Sequence, residues 1–352
     1  MDVLTEQKTD FQEIFYEKKD WVARITINRP YAFNAYSTNC LEELAIAFRQ
    51  ASFDDEVAVI VYTGAGTRAF CTGGDVKEYQ ERYTSSPHNY WKYMRLFGAY
   101  IESIVNTGKP VIARLNGMAV GGGNESQLAC DLAIIAEHAW IGQVGSGVGS
   151  VAAGGATQWL PIVVGDRRAR YMLMTNRRIP AYQALEWGLV NQVVPSVKKD
   201  GEFVDHATPE QVSLAQKESD GYSIDLSRLD EAVDALAQEL VDKFPECLRY
   251  TKEQTNFWKN LAWHQTIGHA RDWLSIHYTS WEPLEGMTAF VEKRPPRYRL
   301  LRERAAQGKS SEFIWGPYKH TCATCGAQAL PEEFSFCGVC GAQLNGSPQE
   351  QQ

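Results

Sequence analysis

The sequence predicts an α/β fold in which strands run into glycine turns and then into helices, followed by a helical C-terminal region and a small cysteine-rich tail. Two stretches carry the first part. In residues 110–131, PVIARLNGMAVGGGNESQLACD, the β-rich run Val111-Ile112-Ala113-Arg114-Leu115 is broken by Gly121, Gly122 and Gly123. A helical pattern starts at Asn124, with Leu128 and Ala129 on one side. In residues 69–76, AFCTGGDV, an apolar strand again meets paired glycines, Gly73 and Gly74, and a helix start. The third observation lies further on: Leu229, Val233, Leu236, Leu240 and Val241 fall at helical spacing.

The remaining elements follow in order. Residues 1–20 are a polar lead-in with one early strand. Residues 21–28 alternate at strand period and stop at Arg29-Pro30, before the turn YAFNAYS. A helix over residues 39–49 takes its apolar face from Leu41, Leu44, Ile46 and Phe48. Residues 57–62, VAVIVY, form a near-continuous apolar run, the pattern of a strand buried on both faces. Residues 195–225 are a polar insertion with turn signals at Asp200-Gly201 and Asp220-Gly221, predicting a surface hairpin and a short helix. Residues 257–281 are rich in Trp and His, and aromatic residues at helical spacing belong more often to a core or a subunit interface than to a site.

Bulk properties narrow the function. The chain has 352 residues, 44% hydrophobic and 22% charged, which is ordinary for a globular protein with room for one large domain and a small one. A net charge of -8 gives no electrostatic case for nucleic acid or anionic membranes. No apolar run is long enough to span a bilayer, and the N-terminal residues lack a signal-peptide pattern, so a cytoplasmic location is expected.

A strand, a glycine turn and a helix start together make a concave nest of backbone N–H groups backed by a positive dipole end. Glu125 sits just beyond the glycines of the second turn. An anion site beside a carboxylate suits acyl chemistry, where an oxyanion is stabilised while a proton moves. Two such turns, each after an apolar strand, can face each other across one site. The plainer alternative is that the glycines serve tight turns or close packing and that Glu125 only favours the first helical turn.

The order NRPYAFNAYS, AFCTGGDVKEY and KPVIARLNGMAVGGGNE with CDLAI behind it resembles the crotonase (enoyl-CoA hydratase/isomerase) superfamily. IGQVGSGVGSVAAGGATQWLPIVVG, ALEWGLVNQVV and EGMTAFVEKRPPRY follow in the family's order, so the resemblance spans about residues 15–300. It implies a spiral of β-β-α turns with a C-terminal helical region, assembled as a homotrimer or homohexamer, acting on acyl-CoA thioesters without a redox cofactor. Carried over position by position, the backbone N–H groups of Gly74 and Gly122 are the oxyanion donors and Glu125 is the first hydratase glutamate. Phe33, Asn34 and Ala35 match the segment receiving the CoA adenine, and Lys293 matches a lysine that helps bind CoA phosphates.

One departure is informative. Where hydratases carry a second glutamate, this chain has Gly145 in Gly142-Gln143-Val144-Gly145. The small residues that follow, GSGVGS, leave room for a bulkier acyl group and resemble the branch of the family acting on cyclic acyl-CoAs. That branch carries an aspartate where Ala152 stands here. Asp75, Tyr79, Tyr83 and His88, in or after the first glycine turn, are the groups on hand to replace the missing acid. Within that branch the insertion, the GSVAAGGATQWLP run, the SIHYTSWEPLEGM segment and the cysteine tail together resemble the ring-opening hydrolases of anaerobic aromatic acyl-CoA degradation, and the resemblance implies that activity. An enoyl-CoA hydratase, another cyclic acyl-CoA enzyme and a silent acyl-CoA-binding protein are the alternatives.

The tail carries Cys322-Ala-Thr-Cys325-Gly and Cys337-Gly-Val-Cys340-Gly, two CxxC knuckles eleven residues apart. Four thiolates in two close pairs suit tetrahedral Zn²⁺, fully coordinated by protein and hence structural. A rubredoxin-like iron site uses similar ligands; disulfides and a redox CxxC fit a reducing compartment and these surroundings less well. The expected organisation is a spiral core (1–195), the insertion (196–227), a helical region (228–304), a linker (305–320) and a zinc ribbon (321–345).

Overall fold

The β-branched runs build most of a six-stranded sheet, and short strands between them build a second. The structure is a computed structural model that describes residues 10–84, 86–311, 318–328, 330–331 and 334–344. The start of the lead-in and parts of the expected linker and ribbon lie outside the described residues. The chain forms two units: one reaching Asp75 and including Tyr93–Gly147 and Val151–Arg271, the other comprising Val76–Lys92, Val148–Ser150 and the chain from Asp272.

Along the chain, β1 (Ile14–Lys19) and β2 (Val22–Ile27) precede α1 (Thr38–Phe53). β3 (Val59–Gly64) and β4 (Ala69–Cys71) lead to the short α2 (Val76–Glu78) and to α3 (Pro87–Val105). β5 (Val111–Leu115) and β6 (Met118–Val120) lead to α4 (Gly122–Ala129). β7 (Leu132–Ala136) and β8 (Trp140–Gly142) lead to α5 (Ala156–Val163) and α6 (Asp166–Thr175). This is a repeated strand–strand–helix turn. β9 (Ile179–Pro180), α7 (Ala181–Glu186) and β10 (Gln192–Val194) complete it.

β3, β5 and β7, the first strands of the three middle turns, join β1, β2 and β10 in the large sheet, ordered β1-β2-β3-β5-β7-β10, and their second strands join β9 in a small sheet, ordered β4-β6-β8-β9. β4, β6 and β8 run parallel, so the turns after them emerge side by side at one sheet edge, where open parallel sheets place their ligands. β3 is buried on both faces, as its apolar run predicts. Val59 and Val61 pack with Ile112 and Ile134 against Leu229, Val233 and Ala237 of α9 (Ser227–Val241). Leu229 is fully buried, so truncation to Ala would cost about 2–5 kcal/mol. Arg114, inside the β5 run, reaches α9 as a bidentate pair with Asp230 at 2.9 and 3.1 Å.

Four differences from the sequence reading are seen, the first three with a physical cause. α4 starts at Gly122 rather than Asn124, because glycines carry no side-chain period. β6 and β8 have three residues each, too few for alternation to register. The insertion holds more than a hairpin and a helix. β11 (Val197–Lys199) pairs with β12 (Glu202–Phe203) through Asp200-Gly201, both at positive φ, and also with β13 (Tyr222–Ile224) after α8 (Pro209–Gln216). α8 starts with a capping box of Thr208 and Gln211. The predicted helix over 39–49 extends to Phe53.

After α9 come α10 (Pro245–Thr255) and α11 (Phe257–His277). In α11 the aromatic residues divide: Trp263 is buried and stacks on Trp159 at 5.4 Å, while Trp258 and Trp273 stand exposed. His264 and His269 are exposed, and His277 stacks on Trp273.

The second unit contains α2, a π-helical turn at Tyr79–Tyr83, α12 (Trp281–Val291), α13 (Tyr298–Ala306) and the strands β14 (Tyr318–His320) and β15 (Leu330–Pro331). Tyr79, Tyr83, Tyr90 and Tyr278 cluster there, with Tyr90 and Tyr278 stacked at 3.6 Å. Gly149 has no space to spare: a Cβ on it would lie 2.1 Å from the Glu282 carbonyl oxygen of α12. Its smallness serves packing, which corrects the expectation that this glycine leaves room for a larger acyl group.

Candidate active site

The turns after β4 and β6 meet. A Cβ on Gly73 would lie 2.9 Å from the Gly122 nitrogen, and one on Gly123 only 2.0 Å from the Cys71 carbonyl oxygen. Gly73 and Gly121 have φ of 87° and 57°, a region glycine enters without steric cost. Close packing therefore demands glycine here: only glycine lets the two turns approach. Gly122 is the first residue of α4, so its N–H has no acceptor within the helix. Among the described residues neither the Gly74 nor the Gly122 N–H meets a protein acceptor.

The Phe33–Asn34–Ala35 turn is brought beside the first glycine turn. Tyr36 donates its N–H to the Gly73 carbonyl at 2.9 Å and accepts from the Asp75 N–H at 3.0 Å, bridging to Gly74 between them. Asn34 is buried, with both amide functions used: it accepts from the Arg29 N–H and donates to the Ala65 and Ala69 carbonyls at 2.9 and 2.7 Å. Its side chain therefore makes the turn, and the Phe33, Asn34 and Ala35 N–H groups are used within it as well, donating to the Pro30, Arg29 and Ala32 carbonyls, so what the turn can offer a ligand is carbonyl oxygens. The Phe33 ring lies under the Arg68 guanidinium at 4.4 Å. Lys293 belongs to the second unit, exposed just beyond α12.

Glu125 is 4% exposed. Its Oε1 accepts from the Gly154 N–H at 2.7 Å and the Ala156 N–H at 3.1 Å, both at the start of α5. Burial pushes the carboxyl up to about 7, against the two N–H bonds that favour its ionised form. Such a group is half-protonated near neutral pH, suited to both taking and giving a proton. A Cβ on Gly154 would lie 2.3 Å from the Phe97 ring and 2.9 Å from Glu125 Oε2, so a glycine and a ring wall the carboxyl. Phe97 stacks on Tyr36 at 5.6 Å, and the Tyr36 hydroxyl lies where a Cβ on Gly122 would be, 1.7 Å away.

Tyr36, Phe97 and Gly154 thus line the Glu125 and Gly122 region, Gln143 reaches the Gly121 carbonyl beside them, and the sequence reading did not single these residues out. Phe97 had one signal, its place with Tyr93 and Tyr100 on one face of a helical pattern. Tyr36 had only its place in NAYS. Of the groups offered for the missing acid, Asp75 is held by Arg29 at 3.1 Å, Tyr79 and Tyr83 join the second unit's tyrosine cluster, and His88 is exposed. Gly145 opens a 3-10 turn, Gly145–Gly147.

Residues 17–223 match the family described as enoyl-CoA hydratase/isomerase. The chain belongs to that family. Among its relatives, the 6-oxocyclohex-1-ene-1-carbonyl-CoA hydrolase of Geobacter metallireducens is 37% identical over 290 residues, covering 77% of this chain and 76% of the relative. The hydrolase of the same name from Thauera aromatica is 35% identical over 309 residues, covering 81% and 82%. An enoyl-CoA hydratase structure from Mycobacterium avium subsp. paratuberculosis superimposes with a TM-score of 0.66 at 25% identity, covering 82% of this chain and 99% of that one. A Bacillus anthracis enoyl-CoA hydratase does so with a TM-score of 0.59 at 30% identity, covering 81% and 98%. This enoyl-CoA hydratase/isomerase family member is an enzyme with the crotonase fold, the β-β-α spiral the resemblance implied. Among the described residues, no helix is long and apolar enough to cross a membrane.

The four tail cysteines converge, with all Sγ atoms within 4.8 Å of one another. Cys322 and Cys340 stand 3.6 Å apart, as do Cys325 and Cys337. That is close to the roughly 3.8 Å edge of a tetrahedral Zn–S₄ site and far beyond the roughly 2.05 Å of a disulfide. The knuckles match: Gly326 and Gly341 adopt positive φ, and each donates its N–H to the first cysteine's carbonyl at 2.9 Å. Backbone N–H groups of the knuckles hold the Cys322 thiol, at about 6, and the Cys337 thiol below their usual value, while Cys325, crowded by the other three sulfurs, is pushed up to about 12. This set can hold one metal ion.

Proposed function

We propose that the enzyme opens the ring of 6-oxocyclohex-1-ene-1-carbonyl-CoA with two waters, giving 3-hydroxypimeloyl-CoA in anaerobic benzoyl-CoA degradation. The observation that carries this is one buried carboxyl, Glu125, poised near neutrality behind facing glycine turns, with glycine at the position of a second acid. The names of the similar hydrolases support the ring substrate.

The thioester oxygen sits between the Gly74 and Gly122 N–H groups. Glu125 takes a proton from the first water as its oxygen adds to the β carbon, and the electron pair of the double bond moves into the thioester as an enolate. The protonated Glu125 returns that proton to the α carbon. The α carbon now lies between the thioester and the ring ketone, so a second water can add to the ketone with Glu125 again as base. Collapse of that adduct to a carboxylic acid breaks the bond to the α carbon, whose electron pair again becomes the enolate held by the same two donors, and the protonated Glu125 returns its proton to the α carbon to release 3-hydroxypimeloyl-CoA. One oxyanion hole serves both stages, and such preorganised donors supply much of an enzyme's rate.

CoA is placed by the backbone of Phe33, Asn34 and Ala35 and by Lys293. The four cysteines hold a structural zinc, whose protein-filled coordination keeps it out of the chemistry. Exposed apolar residues such as Ile162, Met174, Phe257 and Trp258 are assigned to contacts within a homotrimer or homohexamer.

The test is mass spectrometry of products from 6-oxocyclohex-1-ene-1-carbonyl-CoA in ¹⁸O-labelled water. Gain of two waters with an opened, CoA-linked chain supports ring hydrolysis. One water with the ring intact makes the enzyme a hydratase and removes the C–C cleavage. No reaction with this or any enoyl-CoA leaves a silent acyl-CoA binder.

A further inference from the structure

Gln143 has no role in the mechanism above, yet its side chain reaches the turn carrying one oxyanion donor. It follows β8, the small-sheet neighbour of β6, so the parallel pairing of these strands sets it beside the triple glycine. The side chain is 2% exposed. Its Nε2 donates to the Gly121 carbonyl oxygen at 3.1 Å. That oxygen also accepts the Glu125 N–H at 3.0 Å, and the Gly121 N–H donates to the Gly142 carbonyl at 3.0 Å.

The Gly121 carbonyl and the Gly122 N–H belong to one peptide unit. The unit is planar and trans, so whatever fixes the oxygen fixes the N–H pointing the opposite way. A donor at the oxygen also draws charge through the amide and makes the N–H a stronger donor. Gly121 itself, at φ 57° and ψ -123°, lies outside the conformations of regular structure, so the turn takes its shape from such outside bonds. The Glu125 N–H is an ordinary helical partner. Gln143 is the side chain added to it.

We propose that Gln143 is a positioning residue of the oxyanion hole, whose amide aims and polarises the Gly121–Gly122 peptide so that the Gly122 N–H meets the thioester oxygen. This rests on the proposed role of Gly122. The probe is cyclohexanecarbonyl-CoA with a ¹³C-labelled thioester carbonyl, which has no double bond to hydrate and no ketone to cleave. Difference infrared spectroscopy reads the polarisation of its bound carbonyl directly, and steady-state kinetics are run alongside with the ring-ketone substrate.

In the wild type the bound carbonyl stretch falls below its free value. In Gln143→Leu it moves most of the way back, kcat drops about ten- to a hundredfold, less than the roughly 10²–10³-fold loss of a whole donor, and probe affinity stays within about threefold. Gln143→Glu supplies the second arm: its carboxyl donates to Gly121 only when protonated, so its rate relative to wild type rises as pH falls. Because the new carboxyl would couple to Glu125, the other carboxyl beside this turn, the infrared shift of the bound probe is also followed across pH in Gln143→Glu combined with Glu125→Gln, where Glu125 no longer titrates and the shift should grow as pH falls. If Gln143→Leu keeps the full wild-type infrared shift and loses only thermal stability, Gln143 is a structural brace and the inference falls. It falls also if Gln143→Glu shows a flat ratio. If the wild type itself leaves the bound carbonyl unshifted, the oxyanion reading of Gly122 fails first and takes the role of Gln143 with it.

Discussion

Replacing Glu125 by Gln separates activity from stability in a way the structure makes quantitative. Burial raises the carboxyl from 4.5 to about 7. The folded chain therefore holds that proton more tightly than the unfolded chain does. The group is harmless to stability below pH 4.5 and becomes a cost as pH rises through 7. At about 1.4 kcal/mol for each tenfold in proton affinity, the full cost above pH 8 is on the order of 3 kcal/mol. Glutamine keeps the shape and an oxygen to accept the Gly154 and Ala156 N–H bonds, and it cannot ionise. Glu125→Gln should lose about 10²–10⁴ in turnover, the usual contribution of a general acid–base group. It should also melt a few degrees higher than wild type at pH 8, with the gap closing toward pH 5. Differential scanning calorimetry across pH, beside steady-state rates, reads both. A variant that melts lower than wild type by a constant margin at every pH would refute the strained-carboxylate reasoning. Near-normal turnover would refute the role in proton transfer.

The wild-type pH–rate profile should show kcat/KM falling below about pH 7, as Glu125 loses its basic form, and that limb should be absent in the residual activity of Glu125→Gln. Gly122→Ala sets a Cβ 1.7 Å from the Tyr36 hydroxyl; denaturant titration should find a loss of about 1–3 kcal/mol, partly recovered when Tyr36→Phe removes the first atom met. Metal analysis should find one zinc per chain, lost in Cys322→Ser, while ring-opening activity stays within about twofold because a closed S₄ site offers substrate no coordination position. Lys293→Ala should raise KM by about two- to tenfold with kcat unchanged, the signature of a uniform binding contact.

The candidate site was legible where its residues sit in local sequence. Gly73-Gly74, Gly121-Gly122-Gly123 and Glu125 each follow an apolar run, and strand followed by glycine turn is a short-range pattern. The same holds for the cysteine knuckles, whose geometry is fixed within a few residues of each thiol. What sequence could not show is what the small sheet assembles. β4, β6 and β8 have only three residues each, so neither their pairing nor the convergence of the turns behind them leaves a periodic trace. Phe97 and Gly154 wall Glu125 from 28 residues before it and 29 after it, and nothing local to either announces that. Gly149 misled for the opposite reason: a small residue reads as space, and the structure fills that space with α12.

The missing second acid then bears on why one carboxyl can be enough. Two carboxylates sharing a site raise one another's proton affinity, so their titrations couple. With Gly145 at the second position, Glu125 is set near 7 by burial and two N–H donors alone. A group so poised spends comparable time in each protonation state at neutral pH. That is the requirement of the proposed reaction, in which the same carboxyl deprotonates a water, protonates the α carbon, deprotonates a second water and protonates the α carbon again after the ring opens. A strongly acidic glutamate would stall at the protonation step, and one raised much further would stall at the first. Losing the partner acid is in this account no defect in a hydratase site but a condition for a single group to act twice.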